Sequence, residues 1–309
     1  MSIIQTLKTR RDALLQFLRT HSFPGFKQMS IYEVGEFFVF SLQKGQLTTR
    51  AASISYHLFL AIFPGIIFLF TLIPYLPVKN LDAEILSILA NFMPAYSYKT
   101  FESTILDIIS NQRGGLLSIS VLSTVYFATN GINNLISTFN SSLLVEEKQS
   151  WWRSKLVSFL LTLILSVVMV IGTSLIFISQ TLLQYLQQYN LFTGEWTIPL
   201  LLIGKWVIVL ILFYLLVSLL YYAAPRKRFH WRTFSPGAVT ATLLSIIISL
   251  GFSFYVNNFG HYNKFYGSLG TIVVLLLWIY LIAIALISGF ELNVSIEAAS
   301  KKRQNEDGR

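Results

Sequence analysis

Along this chain, apolar residues run on in six stretches of about 20 positions, the length a helix needs to cross a hydrocarbon core of about 30 Å. They fall at 56–76, 116–137, 156–178, 198–223, 237–256 and 269–291. The first is interrupted by Pro64 and Pro74, and the second is diluted by Ser, Thr and Asn. Elsewhere the pattern turns amphipathic. Ile3, Leu7, Leu14 and Leu18 share one helical side of 1–20, and 31–40 has a similar mixed character. The segment 78–113 is too polar to span, but its Leu81/Ile85/Leu89 and Phe101/Ile105/Ile108 rows fit short amphipathic helices covering the bundle. The reading is an all-α polytopic membrane protein, with six transmembrane helices and amphipathic interfacial helices. An amphipathic segment 1–50 precedes a transmembrane domain 51–297, and a basic tail 298–309 is read as frayed. The N-terminal helices fit either the membrane surface or the protein's own inner face.

Composition agrees with this pattern. The chain has 309 residues, 54% hydrophobic and only 12% charged, where a soluble globule carries about 25% charged residues. No cysteine is present, which excludes disulfides, thiolate catalysis and cysteine-ligated metals. Segment 1–20 has basic residues spread through it and no continuous apolar core, unlike a cleavable signal peptide.

The placement of the positive charges gives an orientation. Lys8, Arg10, Arg11, Arg19, Lys27, Lys44 and Arg50 precede the first span, and Lys148, Arg153 and Lys155 follow the second. Arg226, Lys227, Arg228 and Arg232 follow the fourth, and Lys301, Lys302, Arg303 and Arg309 follow the sixth. The alternate loops hold only Lys79, Lys99, Arg113 and Lys264, with Lys205 inside the fourth span. By the positive-inside rule both termini are cytoplasmic.

Polar side chains inside the spans are the candidate chemistry, because they are costly in hydrocarbon. In the second span Ser123, Tyr126, Asn130, Asn133, Asn134, Ser137 and Ser141 recur at steps of three or four and draw a stripe on one helix face. Facing lipid, it would leave several amides unsatisfied at a cost of roughly a kcal/mol or more each. It therefore reads either as interhelical hydrogen bonding or as the wall of a hydrated cavity. Arg50, Ser53, Tyr56 and His57 sit at the inner end of the first span, and Glu291 with Asn293 at the inner end of the sixth. Depth gathers these residues, and an Arg50–Glu291 ion pair is expected, the alternative being two charges wetted at headgroup level. Lys205 fits a snorkelling side chain or a ligand contact. The Arg226–Arg232 run fits a topology anchor or an anionic headgroup site.

Three pieces carry a family resemblance: Arg50-Ala51-Ala52-Ser53-Ile54-Ser55-Tyr56-His57 running into Phe63-Pro64; Ala224-Pro225-Arg226-Lys227-Arg228 with Trp231-Arg232 and Ser235-Pro236-Gly237-Ala238; and Tyr266-Gly267-Ser268-Leu269-Gly270 with Leu277-Trp278-Ile279-Tyr280 and Gly289-Phe290-Glu291-Leu292-Asn293. In this order they resemble the YihY/BrkB family of bacterial inner-membrane proteins. The departures are Phe290, where small residues are usual, and His57, where an aromatic or aliphatic one is commoner. The resemblance implies a six-helix fold in the bacterial cytoplasmic membrane without assigning an activity. Its members have carried a ribonuclease label, against which this sequence has no His/Asp cluster with metal-ligand spacing.

The function expected is a transporter or flippase-like protein that moves an anionic amphiphile, a phospholipid or lipid-linked precursor, without ATP. Its cavity would be lined by Arg50, Ser53, Tyr56, His57, Tyr126, Asn130, Asn133, Asn134, Ser137, Glu291 and Asn293, with Arg226, Lys227, Arg228 and Arg232 drawing the headgroup. The alternative is a non-transporting scaffold or envelope-integrity protein acting through its basic cytoplasmic face. A lipid enzyme is a third reading. Anionic lipids are the expected partners, with a homo-oligomer possible in principle, and neither nucleic acid nor any cofactor is expected.

Overall fold

The computed structural model describes residues 12–13, 15–75, 105–142, 150–188, 197–224, 235–259 and 268–307. Segment 78–104 and the cluster Arg226, Lys227, Arg228 and Arg232 lie outside the described residues. The helices are α1 (Ile31–Lys44), α2 (Leu47–Leu72), α3 (Gly114–Asn140), α4 (Trp151–Gln188), α5 (Thr197–Ala223), α6 (Pro236–Phe259) and α7 (Ser268–Asp307). All but α1 are long and apolar enough to cross a membrane.

The six spans follow one another around a ring in chain order. Each packs on the next, and α7 closes the ring against α2. Tight packing gathers at the end that carries both chain termini. There Ala51 and Ile54 of α2 meet Ile132, Leu135, Ile136 and Phe139 of α3, Val217, Leu220 and Tyr221 of α5, and Ala283, Ile287 and Phe290 of α7. Phe139 and Phe290 stack with centroids 4.3 Å apart, and Tyr221 meets both edge-on. The Tyr221 hydroxyl donates to the Leu286 carbonyl at 2.6 Å. Toward the other end the described side chains are rarely buried. Thr71 and Ser120, 3.3 Å apart, hold α2 to α3 there.

Two helices touch by their backbones. A Cβ added to Gly237 of α6 would run into the Gly289 carbonyl of α7, and one added to Gly289 into the Gly237 carbonyl. Small residues at such a crossing let helices approach where no hydrophobic effect drives them together. Asn293 secures it by accepting from the Gly237 backbone N–H at 2.8 Å and donating to Ser235 Oγ at 2.6 Å.

The N-terminal segment docks on the protein itself. Phe26, Met29 and Val34 bury against Ile296 and Ala299 of α7, and Lys27 pairs with Glu297. The opposite side of α1 leaves Tyr32, Val39 and Phe40 exposed, as a helix resting on a membrane surface requires. The tail read as frayed from 298 continues α7 to Asp307: Ala299 buries in the cluster with Phe26 and Met29, and Arg303 donates to the Gln28 carbonyl at 3.3 Å. The first span begins at Leu47, earlier than the expected 56, because Thr48, Thr49 and Arg50 continue the same helix below the apolar run.

Two outcomes follow. Replacing Gly289 by Leu should cost about 3 kcal/mol by forcing α6 and α7 apart, measured by unfolding in detergent micelles. At α1, Ser30 and Glu33 form a reciprocal cap. The Ser30 backbone N–H and then its hydroxyl, with Arg303 and Lys302 nearby, outweigh modest desolvation and hold the Glu33 carboxyl below its ordinary 4.5. A depressed carboxylate stabilises the fold above that ordinary value, and the benefit is lost as pH falls through the folded one. Ser30→Ala should speed hydrogen exchange of the α1 amides about fivefold at neutral pH, the equivalent of about 1 kcal/mol, and the gap should shrink below pH 4.5.

Candidate functional site

Two polar centres occupy the terminus-bearing half of the bundle, on opposite sides of α3. The first is a buried hub. Glu291 is fully buried, and both its oxygens are answered: Arg50 Nη1 donates to Oε1 at 2.7 Å, while Ser41 and Ser142 donate to Oε2 at 2.5 and 2.7 Å. Arg50 also donates to the Gly45 carbonyl at 3.2 Å and, through Nη2, to the Thr138 carbonyl at 2.6 Å. The pair expected from depth alone is thus present, and it ties α1, α2, α3 and α7 together. The turn feeding it is unusual: Gln46, between α1 and α2, has a φ of 50°. That conformation is uncommon outside glycine, and here it brings the Gly45 carbonyl under Arg50.

The second centre is the polar stripe of α3. At 100° per residue, Ser123, Tyr126, Asn130, Asn133, Asn134 and Ser137 lie roughly 120–180° from the face that buries Ile132, Leu135, Ile136 and Phe139. The stripe therefore looks away from the bundle core. Its edges bond to the neighbouring helices. Asn134 and Ser53 of α2 exchange bonds of 3.0 and 3.3 Å. On the α4 side, Asn133 Oδ1 accepts from Ser154 at 2.9 Å and Ser158 at 3.3 Å, and Asn130 Oδ1 accepts from Lys155 Nζ at 2.9 Å. Between the edges the surface is open. Tyr126 is 63% exposed and Tyr56 of α2 57%, with Ser53 and Ser137 exposed as well. Gly131 lets α2 approach α3, since a Cβ there would stand 2.9 Å from Leu58 Cδ2.

This strip is about 21 Å long from Ser123 to Ser137 at 1.5 Å per residue, some two thirds of a hydrocarbon core. It offers mainly donors. The amide nitrogens of Asn130 and Asn133 have no partner among the described residues, and neither does the Ser137 hydroxyl. At its terminus-bearing end, Trp151 and Trp152 are 61% and 77% exposed, where an interfacial aromatic belt is expected.

The residues gathered by depth thus divide laterally. Ser53, Tyr56, Tyr126, Asn130, Asn133, Asn134 and Ser137 meet on the strip. His57, half-buried with its ring 5.5 Å from that of Tyr56, stands at its margin. Arg50 and Glu291 turn inward to the hub, and Asn293 holds the α6–α7 crossing. Lys205 is half-buried, with its Nζ 5.5 Å from the Trp206 ring centroid. Sequence reasoning took Lys155 only as a topology charge and passed over Ser154 and Ser158. Their one signal is a spacing that sets Ser154, Lys155 and Ser158 within a turn of one another.

The hub yields a stability test. Glu291→Gln should destabilise the protein by about 3–5 kcal/mol, because it leaves Arg50 buried without its counter-charge. The double change Arg50→Met with Glu291→Leu should recover most of that loss, with thermal unfolding in detergent as the measurement.

A family profile described as Virulence factor BrkB matches residues 39–309. The chain is 32% identical over 266 residues to the putative ribonuclease-like protein YfkH of Bacillus subtilis, covering 85% of this chain and 94% of that protein. It is 28% identical over 274 residues to a UPF0761 membrane protein of Pseudoalteromonas atlantica, with 87% and 88% covered. To a UPF0761 membrane protein of Xanthomonas campestris it is 27% identical over 306 residues, 96% of this chain but 66% of that longer protein. No solved structure matches it. A profile that runs over most of the chain, with a Bacillus relative aligned along nearly its whole length, makes this chain a member of the BrkB family of membrane proteins.

Proposed function

We propose that this protein moves amphiphilic lipids through the bilayer without nucleotide, the headgroup travelling along the outward strip of α3 while the tails stay in the hydrocarbon. The observation that carries this reading is the strip itself: a run of amide, hydroxyl and ammonium groups on the outer surface of the bundle. Donors left bare in hydrocarbon cost several kcal/mol each by transfer scales, and a headgroup that enters laterally offsets that cost. The same donors lower the barrier that normally keeps a headgroup out of the membrane. Arg226, Lys227, Arg228 and Arg232 belong to this proposal as cations that concentrate acidic lipids at the cytoplasmic entrance. The site is assigned to the bacterial cytoplasmic membrane, with both termini inside as the cation distribution predicts. In this reading Arg50 and Glu291 hold the scaffold and do not meet the lipid.

A second copy covering the strip would satisfy the same donors and favours the scaffold reading. The two separate experimentally. Vesicles reconstituted with the purified protein and carrying a fluorescent phospholipid should lose inner-leaflet label to dithionite faster than protein-free vesicles. Asn130→Leu with Asn133→Leu should slow that loss about tenfold or more, as removal of two hydrogen-bonding groups from the path implies. Wild-type vesicles no faster than protein-free ones, together with efficient disulfide crosslinking of Ser137→Cys between copies in this cysteine-free chain, would overturn the transport reading in favour of self-association.

A further inference from the structure

We infer that Lys155 is the point on this strip where the phosphate of a net-anionic phospholipid binds, so that the path prefers acidic lipids over zwitterionic ones. The inference deepens the lipid-transport reading and rests on it for the route, but its chemistry stands on Lys155's own surroundings. Lys155 lies four residues after Trp151 at the start of α4, about 6 Å inside that end. Lys155 is half-buried and its ammonium is aimed at α3, donating one N–H to Asn130 Oδ1 at 2.9 Å. Two further protons remain on that nitrogen, and no carboxylate among the described residues is paired with it. Beside it stands the unpartnered amide of Asn130, and further along the same face of α3 lie the amide of Asn133 and, about 10 Å from Asn130 at 1.5 Å per residue, the Ser137 hydroxyl.

A cation with neutral donors along the helix face beside it matches the needs of a phosphate diester: one charge to neutralise and several acceptor oxygens to bond. Asn130 sets the geometry by orienting the ammonium with its oxygen and leaving its N–H groups for the ligand. With no acid in the described part of the strip, a choline or ethanolamine ammonium finds no counter-charge, whereas a glycerol headgroup meets only hydrogen-bonding groups. The exposed Trp151 and Trp152, one turn outward of this point, mark the interfacial level from which a headgroup enters.

The experiment compares labelled phosphatidylglycerol with labelled phosphatidylcholine in reconstituted vesicles, for wild type, Lys155→Met, Lys155→Arg and Ser154→Ala. Wild type should move phosphatidylglycerol faster, and Lys155→Met should abolish that preference, with a loss of about tenfold in the phosphatidylglycerol rate, the scale of one charge-assisted hydrogen bond. Lys155→Arg should restore the preference. Ser154→Ala, which removes a neighbouring α3–α4 bond without touching the charge, should leave it intact. In parallel, native mass spectrometry of protein extracted from mixed vesicles should show fewer retained phosphatidylglycerol molecules for Lys155→Met than for wild type. An unchanged lipid ratio and unchanged retention in Lys155→Met would overturn the Lys155 site while leaving the strip as a route. Wild type that moves neither lipid would overturn the transport reading, and the retention measurement would still decide the site.

Discussion

A carboxylate with no contact to water must have both oxygens answered by the protein, and Glu291 is answered by groups from three separate parts of the chain. Arg50 on α2 takes one oxygen, while Ser41 of α1 and Ser142 just beyond α3 take the other. Within membrane helices, hydrophobic burial does little to choose between alternative packings, because lipid tails are as apolar as leucine. A paired buried charge discriminates sharply, because any arrangement that separates Arg50 from Glu291 strands an ion in a poor solvent. The hub therefore sets the register of α2 against α7 and brings the interfacial helix α1 into the fold. Next to it the Gly237–Gly289 contact and the Phe139–Phe290 stack fill the space that this register leaves.

α3 shows how one helix serves two environments. Its buried side is built from Ile132, Leu135, Ile136 and Phe139, and its outward side from asparagine, serine and tyrosine at the same depth. An ordinary lipid-facing side would be apolar, as α5 illustrates with exposed Ile203, Trp206, Val207 and Ile211. The contrast between these two helices within one bundle is the physical basis of the functional reading. It does not depend on how deeply any single residue is buried.

Much of this was legible in the sequence, for identifiable reasons. Runs of about 20 apolar residues and the alternation of basic loops define spans through solvation, a local property, so six helices could be read without tertiary information. Depth follows from rise per residue, which brought Arg50 and Glu291 to one level before any contact was known. Direction is another matter. Periodicity shows that Asn130, Asn133, Asn134 and Ser137 share a face, but where that face points depends on which neighbours bury the opposite side. Asn293 was grouped with the cavity for the same reason, although its partners Gly237 and Ser235 come from another helix. The aromatic stack was not legible as a stack: Phe290 stood out as a departure from the family pattern, but its partners Phe139 and Tyr221 stand among 25 Phe and 15 Tyr. The helical tail was missed because its contacts, Ala299 in the cluster with Phe26 and Met29 and Arg303 on the Gln28 carbonyl, exist only once the other end of the chain docks there.

The position of the tight packing bears on which route a lipid would take. A path down the middle of the ring must pass the Phe139–Phe290–Tyr221 stack and the residues around Glu291, all nearly inaccessible. Opening it means separating a buried ion pair, at a cost of several kcal/mol, and parting α6 from α7 where their backbones touch. A path along the outer strip requires neither. The polar groups already face outward, and the tails never leave the hydrocarbon. On the proposed reading the hub stays closed while lipid moves past it, so the charge network serves to hold α2, which flanks the strip on one side, against α3 and α7. Transport by this route needs no alternation of the bundle between inward- and outward-facing states. That accords with a fold whose buried ion pair, aromatic stack and backbone-to-backbone helix contact, among the described residues, lie at one end and tie the helices together there.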